Sequence, residues 1–216
     1  MKLSGQKNIS QVLYILKKEY PNAKYYLNFS NPLEIMVAAI LSAQVRDEIV
    51  NATTPSLFKK YKTAKDYANA KQFELEKEIS KITFAKNKAK NIIEACKILV
   101  EKFKGKVPDT IEELVELPGI GRKTANTILI NAYGKVFGIP VDTHVIRVSY
   151  RLGWANSKNP DIIEKDLMNI LPKEIWGKIT YILKAHGKAI CKAPVPICSK
   201  CPVNYLCPKQ GVTKQL

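Results

Sequence analysis

The sequence has no long apolar run, which excludes a membrane-spanning helix. The longest candidate, from Ile35 to Ala43, is well short of the ~20 residues that a bilayer requires and is bounded by Glu34 and Gln44. The N-terminus lacks an apolar segment followed by small residues, so we expect no secretory signal peptide. These absences predict a soluble, intracellular protein with no membrane partner.

Strand signals are also scarce. No Asn-Gly or Asp-Gly pair joins two alternating apolar runs. Leu33 to Leu41 is apolar on nearly every side, which predicts a buried central helix, and residues 87–103 repeat apolar side chains at helical spacing. Shorter helical patterns lie at Ile9–Leu16, Ile111–Val115, Ile128–Ile130, Val145–Leu152, Ile162–Ile170 and Ile175–Ile190. The predicted fold class is therefore all-α.

Arginine is rare, although the chain is strongly basic. Lysine and arginine number 35 against 19 acidic residues, a formal net charge of +16. This excess favours a polyanionic partner such as nucleic acid, but the lysines are spread along the chain and equally suit a membrane surface or simple solubility. The arginines are more informative, because Arg122, Arg147 and Arg151 lie close together in sequence around the motif described below.

Cysteine is sparse, yet four of the 5 cysteines fall near the C-terminus. They are Cys191, Cys198, Cys201 and Cys207, spaced C-x6-C-x2-C-x5-C in a proline-rich segment. Four thiolates at this spacing suit zinc or an iron–sulfur cluster, and ligation would supply the folding free energy of a segment poor in helix signals. Cys96 falls within an apolar helical pattern, which predicts a core residue.

A short turn, Leu117-Pro118-Gly119-Ile120-Gly121, separates two predicted helices. The two glycines are expected to let the backbone turn tightly and approach a phosphate, although ordinary helix–helix turns look similar. Lys123 follows near the start of a helix, whose positive end disfavours the ammonium form of its amine. Asp142 precedes a helix predicted to begin at Thr143, where it can act as an N-cap, as a catalytic carboxylate, or as both.

These motifs resemble a known family. The segment from Leu117 to Ala125 is similar to the helix–hairpin–helix of the DNA glycosylase superfamily, and residues 138–142 resemble its Gly/Pro-rich loop ending in the catalytic aspartate. The cysteine spacing resembles that of the endonuclease III family and its adenine-glycosylase relatives. Monofunctional relatives lack a lysine at the position of Lys123, so the resemblance favours endonuclease III.

The resemblance implies a catalytic pair, a cofactor and an architecture. Lys123 is expected to form a Schiff base with damaged DNA, Asp142 to assist it, and the four cysteines to hold a [4Fe–4S] cluster. Residues 27–136 are expected to form a six-helix barrel containing the hairpin. Residues 1–26 and 137–216 are expected to form a second, discontinuous helical lobe with the cluster loop at 191–207. DNA would bind in the cleft between the lobes.

The resemblance also implies residues that contact or open the duplex. Gln44 matches a residue that enters the space left by an extruded nucleotide; the alternative is an exposed polar residue at a helix end. Phe84 stands where the family commonly has an aliphatic wedge, and core packing is its alternative. The predicted DNA contacts are Gln44, Arg46, Phe84, Leu117, Gly119, Gly121, Arg122, Thr124, His144 and Lys192.

The leading functional hypothesis is excision of oxidised pyrimidines from duplex DNA, followed by nicking at the abasic site. One alternative is a mismatch glycosylase acting on thymine or uracil opposite guanine. Another is a noncatalytic DNA-binding module, against which the presence of both Lys123 and Asp142 argues. A redox protein has no support beyond the cysteines. We expect a monomer located in the cytoplasm or at the nucleoid.

Overall fold

A computed structural model describes the backbone of residues 2–216 and the side chains of residues 8–216. Every regular element in this part of the chain is helical, so the predicted all-α fold class is confirmed. The α-helices are α1 (Lys2–Glu19), α2 (Pro32–Ser42), α3 (Asp47–Lys60), α4 (Ala64–Ala68), α5 (Gln72–Glu78), α6 (Ala85–Phe103), α7 (Ile111–Val115), α8 (Arg122–Tyr133), α9 (Thr143–Arg151), α10 (Pro160–Ile170) and α11 (Trp176–Ala189). Within the described residues, no helix has the length and apolar character needed to cross a bilayer.

The helices form two compact units. One unit, Tyr26–Lys135, contains α2 to α8 and is called the hairpin unit below. The other contains α1 and α9 to α11, from the residues up to Tyr25 together with Val136–Leu216, and is called the cysteine unit. The chain thus leaves the cysteine unit after its first helix and returns to it.

Helix α2 is the buried helix of the hairpin unit, as predicted. Asn31 caps its start by accepting a hydrogen bond from the Glu34 N–H at 3.0 Å, and Pro32 follows at a position where it sacrifices no helical hydrogen bond. All its side chains from Ile35 to Leu41 are buried, and the helix packs against α3, α6 and α8. Because burying each aliphatic side chain stabilises the fold by roughly 1.5–3 kcal/mol, α2 anchors the helices around it.

Helix α6 buries a second apolar stripe in the same unit. Ile92, Cys96 and Leu99 recur at helical spacing and are fully buried, so the predicted core position of Cys96 is confirmed. Burial raises the pKa of the Cys96 thiol to about 12. Helices α4 and α5 pack against α6, which makes it the second support of the hairpin unit.

The sequence patterns do not predict helices α3 to α5. Pro55 lies inside α3, where proline normally ends a helix, and α4 and α5 have only 5 and 7 residues, too few for helical periodicity to stand out. Capping supports α4 instead: the Thr63 side chain accepts from the Asp66 N–H, and the Asp66 carboxylate accepts from the Thr63 N–H at 2.8 Å.

The core of the cysteine unit joins its first and last helices. The predicted apolar stripe of α1 is buried through Val12, Leu13 and Leu16. It shares one core with side chains of α9, α10 and α11, including Val145, Val148, Ile163, Leu167, Ile179 and Leu183. Beyond Ala189 the only regular element of the described chain is a 3₁₀ turn at Cys198–Lys200, and Val203 of this segment packs into the same core.

Candidate active site and cysteine cavity

The turn between α7 and α8 requires glycine at one of its two glycine positions. Gly119 has a φ of +84°, and a Cβ there would lie 3.1 Å from Asn91 Nδ2 and 3.4 Å from Ile40 Cγ2. Leu117 and Ile120 on either side of it are buried. The turn therefore packs against α2 and α6, and a side chain at residue 119 would be strained by the backbone conformation and crowded by these neighbours.

Gly121 corrects one expectation from the sequence. Its φ of −99° and ψ of 177° are extended and open to any residue, so it does not contribute to a tight turn. A Cβ at this position would meet no atom within 4 Å. Gly121 is the N-cap of α8 and provides no side-chain cap, which leaves a bare helix start beside open space.

Lys123 is the second residue of α8, so its predicted place near a helix N-terminus is confirmed. Arg122 and Lys123 are exposed, and Thr124 is half-buried. The Lys123 carbonyl accepts a hydrogen bond from Thr127 Oγ1 at 2.9 Å, one turn further along the helix. The backbone that carries the amine is therefore part of regular helix, and the side chain extends from the end that bears positive partial charge.

Gln44 and Phe84 both occupy exposed loops with left-handed backbone. Their φ values are 56° and 59°, which are uncommon for residues other than glycine. Phe84 is 64% exposed, so the core alternative for this residue is wrong. Thr83 Oγ1 donates to the Gln44 carbonyl at 3.2 Å and joins the two loops. Arg46, the N-cap of α3, is exposed two residues beyond Gln44.

In the cysteine unit, Asp142 is the N-cap of α9, as the sequence predicts. Its Oδ1 accepts from the backbone N–H groups of His144 and Val145, both at 2.9 Å. These bonds satisfy two donors of the first helical turn and place a negative charge at the positive end of the helix. Since both bonds end on Oδ1, the second oxygen of this half-buried carboxylate is left for another partner.

His144 is held by Arg147, one turn along α9. Arg147 Nη2 lies 3.1 Å from His144 Nδ1, and because a guanidinium only donates, Nδ1 must be the acceptor nitrogen. Burial lowers the pKa of His144; the cations Arg147, Lys184 and Lys188 lower it further, whereas Asp142 opposes them. The ring is therefore a neutral, oriented imidazole two residues from Asp142.

Helices α9 and α11 approach closely at Gly187, a position that sequence reasoning missed. A Cβ there would lie 2.9 Å from His144 Nδ1 and 3.1 Å from Arg147 Nη2. The Gly187 carbonyl accepts from Arg147 Nη2 at 3.0 Å, and the Cys191 carbonyl accepts from Arg147 Nε at 3.0 Å. Helix α9, which Asp142 caps, is thereby joined to Cys191, the first residue of the cysteine segment (residues 191–207).

All four C-terminal cysteines line one cavity of the cysteine unit. The cavity is small and partly open to solvent, and Cys191, Cys198, Cys201 and Cys207 are free thiols. Among the side chains that the structure describes, no three ligands already stand together around one ion position.

The donor set nevertheless suits a thiolate-bound metal group. Burial, together with the charges of the three neighbouring cysteines, raises the pKa of the Cys201 thiol to about 11. Four thiolates in one cavity oppose one another, so a cationic group among them is what would keep all four deprotonated.

Comparison with known proteins identifies the family that combines these features. The model of the HhH-GPD superfamily of base excision DNA repair proteins matches residues 37–173. The chain is 44% identical to "Endonuclease III" of Synechocystis sp. over 95% of this chain and 94% of the relative. It is 43% identical to "Endonuclease III" of Bacillus subtilis over 96% of this chain and 99% of the relative. The chain belongs to the endonuclease III family. The resemblance predicted from the hairpin, aspartate and cysteines is confirmed.

A solved structure of the endonuclease III family confirms the helical fold as well. A trapped covalent intermediate of endonuclease III with DNA, an estranged-adenine complex, matches with a TM-score of 0.90 and 42% identity. The match covers 94% of this chain and 96% of that chain. The helical fold of this endonuclease III family member is therefore shared along almost its whole length with a protein solved in covalent attachment to DNA.

Two buried side chains near the cysteines also escaped prediction in this endonuclease III family member. Arg151 donates to the Lys192 carbonyl at 2.8 Å, to the Pro194 carbonyl at 3.0 Å and to Cys191 Sγ at 3.4 Å. His186 lies with Nε2 3.7 Å from Cys201 Sγ and Nδ1 3.1 Å from the Tyr20 hydroxyl. In the sequence, the only sign of a role for Arg151 is the rarity of arginine, and the only sign of a role for His186 is that it precedes Gly187.

The remaining predicted site residue, Lys192, lies in the cysteine segment. Its backbone carbonyl is used by Arg151, and its side chain is exposed. The lysine thus lies on the surface of the cysteine segment, where its amine is accessible to an anion.

Proposed function

We propose that the protein is a base excision repair DNA glycosylase with AP lyase activity, which removes oxidised pyrimidines from duplex DNA and nicks the resulting abasic site. The observation that carries this proposal is the position of Lys123, the second residue of a helix that starts without a side-chain cap next to an open glycine. Membership of the endonuclease III family supports the same activity.

Lys123 is the proposed nucleophile. Its Nζ forms a bond to C1′ of the damaged nucleotide as the bond from C1′ to the base nitrogen breaks, and the base leaves with that electron pair and a proton. Opening of the sugar gives a protonated Schiff base. Loss of a C2′ proton then expels the 3′ phosphate by β-elimination, and water releases the enzyme. The amine must first lose its proton, which the positive end of α8 and desolvation by bound DNA both favour.

Asp142 is the proposed partner carboxylate. Its free oxygen stabilises the positive charge that develops at C1′ and accepts a proton from the attacking amine. A nearby carboxylate raises the pKa of a lysine, so its contribution belongs to the transition state rather than to activation of the ground state. The cap formed by Oδ1 fixes the orientation of the carboxylate for this task.

The hairpin is proposed to bind the DNA backbone. The first N–H groups of α8 have no carbonyl partner within the helix, and the open space at Gly121 admits a phosphate oxygen. Arg122 and Thr124 stand in the same first turn and add side-chain donors, while buried Leu117 and left-handed Gly119 maintain the turn. The expected partner is duplex DNA containing a damaged base or an abasic site.

Gln44 and Phe84 are proposed to open the duplex. Both are exposed at loops whose backbones are already fixed, and extrusion of a nucleotide leaves a gap in the base stack that such side chains fill. Arg46 is placed to meet the backbone beside Gln44, and the exposed ring of Phe84 is suited to stack on the unpaired base opposite.

The four cysteines are proposed to hold a [4Fe–4S] cluster. When bound, the group would supply iron–thiolate bonds from all four cysteines, which would link the two ends of residues 191–207. The chain's own contribution is the four hydrogen bonds that Arg151 donates to this segment, which also present Lys192 to a phosphate. Iron and sulfide analysis separates this cluster from zinc, the alternative for such a thiolate set.

Borohydride trapping tests the proposed function. Wild type is incubated with a duplex carrying one oxidised pyrimidine, beside Lys123→Ala and the control Lys97→Ala, which removes an exposed lysine of α6. We expect a covalent adduct from wild type and the control, and none from Lys123→Ala, which should still bind DNA. Parallel duplexes with thymine or uracil opposite guanine test the mismatch alternative. Absence of an adduct and of nicking at an abasic site in wild type would overturn the proposal.

A further inference from the structure

Lys88 is a buried lysine whose partners are backbone carbonyls. It is 5% exposed and lies on α6 in the same stripe as Ile92 and Cys96. Its Nζ donates to the Leu41 carbonyl at 2.8 Å and to the Ala43 carbonyl at 2.6 Å. Burial lowers the pKa of Lys88 to about 8, which still leaves most of the amine charged at neutral pH. A buried amine is retained where hydrogen bonds compensate for lost solvation, and these carbonyls do so.

The Leu41 and Ala43 carbonyls lie at the end of α2, and Ala43 directly precedes Gln44. The last carbonyls of a helix lack donors within the helix and carry partial negative charge, so a cation placed against them is stabilising. Ala43 is the C-cap of α2, and the next residue, Gln44, turns into the left-handed region. Lys88 thus stabilises the point at which the chain changes direction.

A second contact holds the other side of the same residue. Thr83 Oγ1 donates to the Gln44 carbonyl at 3.2 Å. The peptide groups before and after Gln44 therefore both accept hydrogen bonds from the segment around the start of α6. Left-handed backbone at a residue with a side chain persists only where its surroundings impose it, and Lys88 and Thr83 impose it here.

We infer that Lys88 is a positioning residue for Gln44: it fixes the end of α2 so that the Gln44 side chain is presented for insertion into the DNA stack before DNA arrives. This inference rests on the proposed function. Fixing the loop in advance removes the ordering cost that a mobile loop would incur on binding. Lys88 also lies one helical turn after Phe84, so the same anchor sets the spacing of both proposed insertion loops.

A double-mutant cycle distinguishes positioning from general support. Single-turnover excision is measured on an oxidised-pyrimidine duplex for wild type, Gln44→Ala, Lys88→Met and the double variant. Removing two hydrogen bonds from a charged donor is expected to slow excision by about tenfold or more. If Lys88 acts through Gln44, the double variant should excise no more slowly than Gln44→Ala alone. If the two side chains act independently and each single substitution slows excision about tenfold, the double variant should be about a hundredfold slower than wild type.

Two further readouts do not depend on excision. A duplex with a tetrahydrofuran abasic analogue opposite 2-aminopurine reports unstacking on binding, and we expect Lys88→Met to lose most of the fluorescence increase. Amide exchange at residues 43–47 should be faster in Lys88→Met than in wild type. Lys97→Met is the matched control, because it removes an exposed lysine of the same helix. If Lys88→Met fails to fold, Thr83→Val removes the other contact at an exposed position and should show the same pattern.

The outcomes distinguish failure of the positioning role of Lys88 from failure of the proposed function. Multiplicative losses in the cycle, or unchanged fluorescence and exchange in a folded Lys88→Met, would overturn the positioning role while leaving the enzyme activity intact. Failure of wild type to form a borohydride adduct would overturn the proposed function. In that case the amide exchange and 2-aminopurine measurements still judge whether Lys88 fixes Gln44 for insertion.

Discussion

Asp142 combines a structural and a proposed chemical role, and two substitutions separate them. Asp142→Ala removes the acceptor of both N–H bonds at the start of α9. Asp142→Asn retains an oxygen in the same place and removes only the negative charge. Asp142→Ala therefore loses both the helix cap and the negative charge, whereas Asp142→Asn loses only the charge.

The expected magnitudes follow from the cap geometry. Loss of an N-cap acceptor costs about 1–2 kcal/mol, and asparagine is as good a cap as aspartate. Loss of the charge at the helix end adds roughly 0.3–1 kcal/mol to either variant. For a chain of 216 residues, 1 kcal/mol corresponds to about 2–4 °C in Tm. Asp142→Ala is thus expected to melt several degrees below wild type, and Asp142→Asn close to it.

The excision rates of the two Asp142 variants should not parallel their Tm values. If the carboxylate acts on the reacting sugar, both variants lose about 10²- to 10⁴-fold in single-turnover rate, because neither retains a charged acceptor. Thermal melting and excision are measured on the same preparations. An Asp142→Asn protein with at least a tenth of wild-type activity would refute the catalytic role, and an Asp142→Ala protein with unchanged Tm would refute the capping account.

Three other substitutions test the surrounding structure. Gly119→Ala should lower Tm by several degrees and weaken duplex binding in a fluorescence-anisotropy titration, because a side chain at φ +84° meets Asn91 at 3.1 Å; unchanged binding would show that the turn tolerates a side chain. Arg151→Met should reduce iron content per protein relative to an exposed Lys200→Met control, since four hydrogen bonds to the cysteine segment are lost; equal iron content would contradict that role. His186 has its pKa lowered by burial to about 4, so the unfolded chain binds the proton first. Neutral His186 should therefore contribute its full stabilisation above pH ~6.5, and the free energy of unfolding should fall by up to about 3 kcal/mol towards pH ~4. Urea titrations across this pH range should show the decline in wild type and not in His186→Gln.

Much of the site could be predicted because its signals are local in sequence. The start of α8 follows directly from Gly121, and the cap at Asp142 follows from an acidic residue before a helical apolar pattern. The buried helix α2 follows from an apolar run with Asn31 and Pro32 at its start. The predicted enzyme class, a DNA glycosylase with AP lyase activity, is confirmed at the level of the family.

The residues that were missed depend on contacts distant in sequence. Lys88 donates to a carbonyl 47 residues earlier, and its only local sign is a lysine within the apolar stripe of α6. Arg151 and Gly187 likewise acquire their roles from a neighbouring segment 40 residues away or more. Gly121 was misjudged for the opposite reason: the local rule that glycine marks a tight turn did not apply to its extended backbone.

The burial of Cys96 gives the protein a convenient chemical asymmetry. With no exposed surface and a thiol pKa of about 12, this cysteine offers almost no thiolate to an alkylating reagent while the chain is folded. Cys191, Cys201 and Cys207 are half-buried around a cavity that is partly open to solvent, whereas Cys198 is buried like Cys96. Thiol labelling of the native protein should therefore modify these three sulfurs ahead of Cys96, and because bound metal protects them, the extent of labelling reports the fraction of molecules without it.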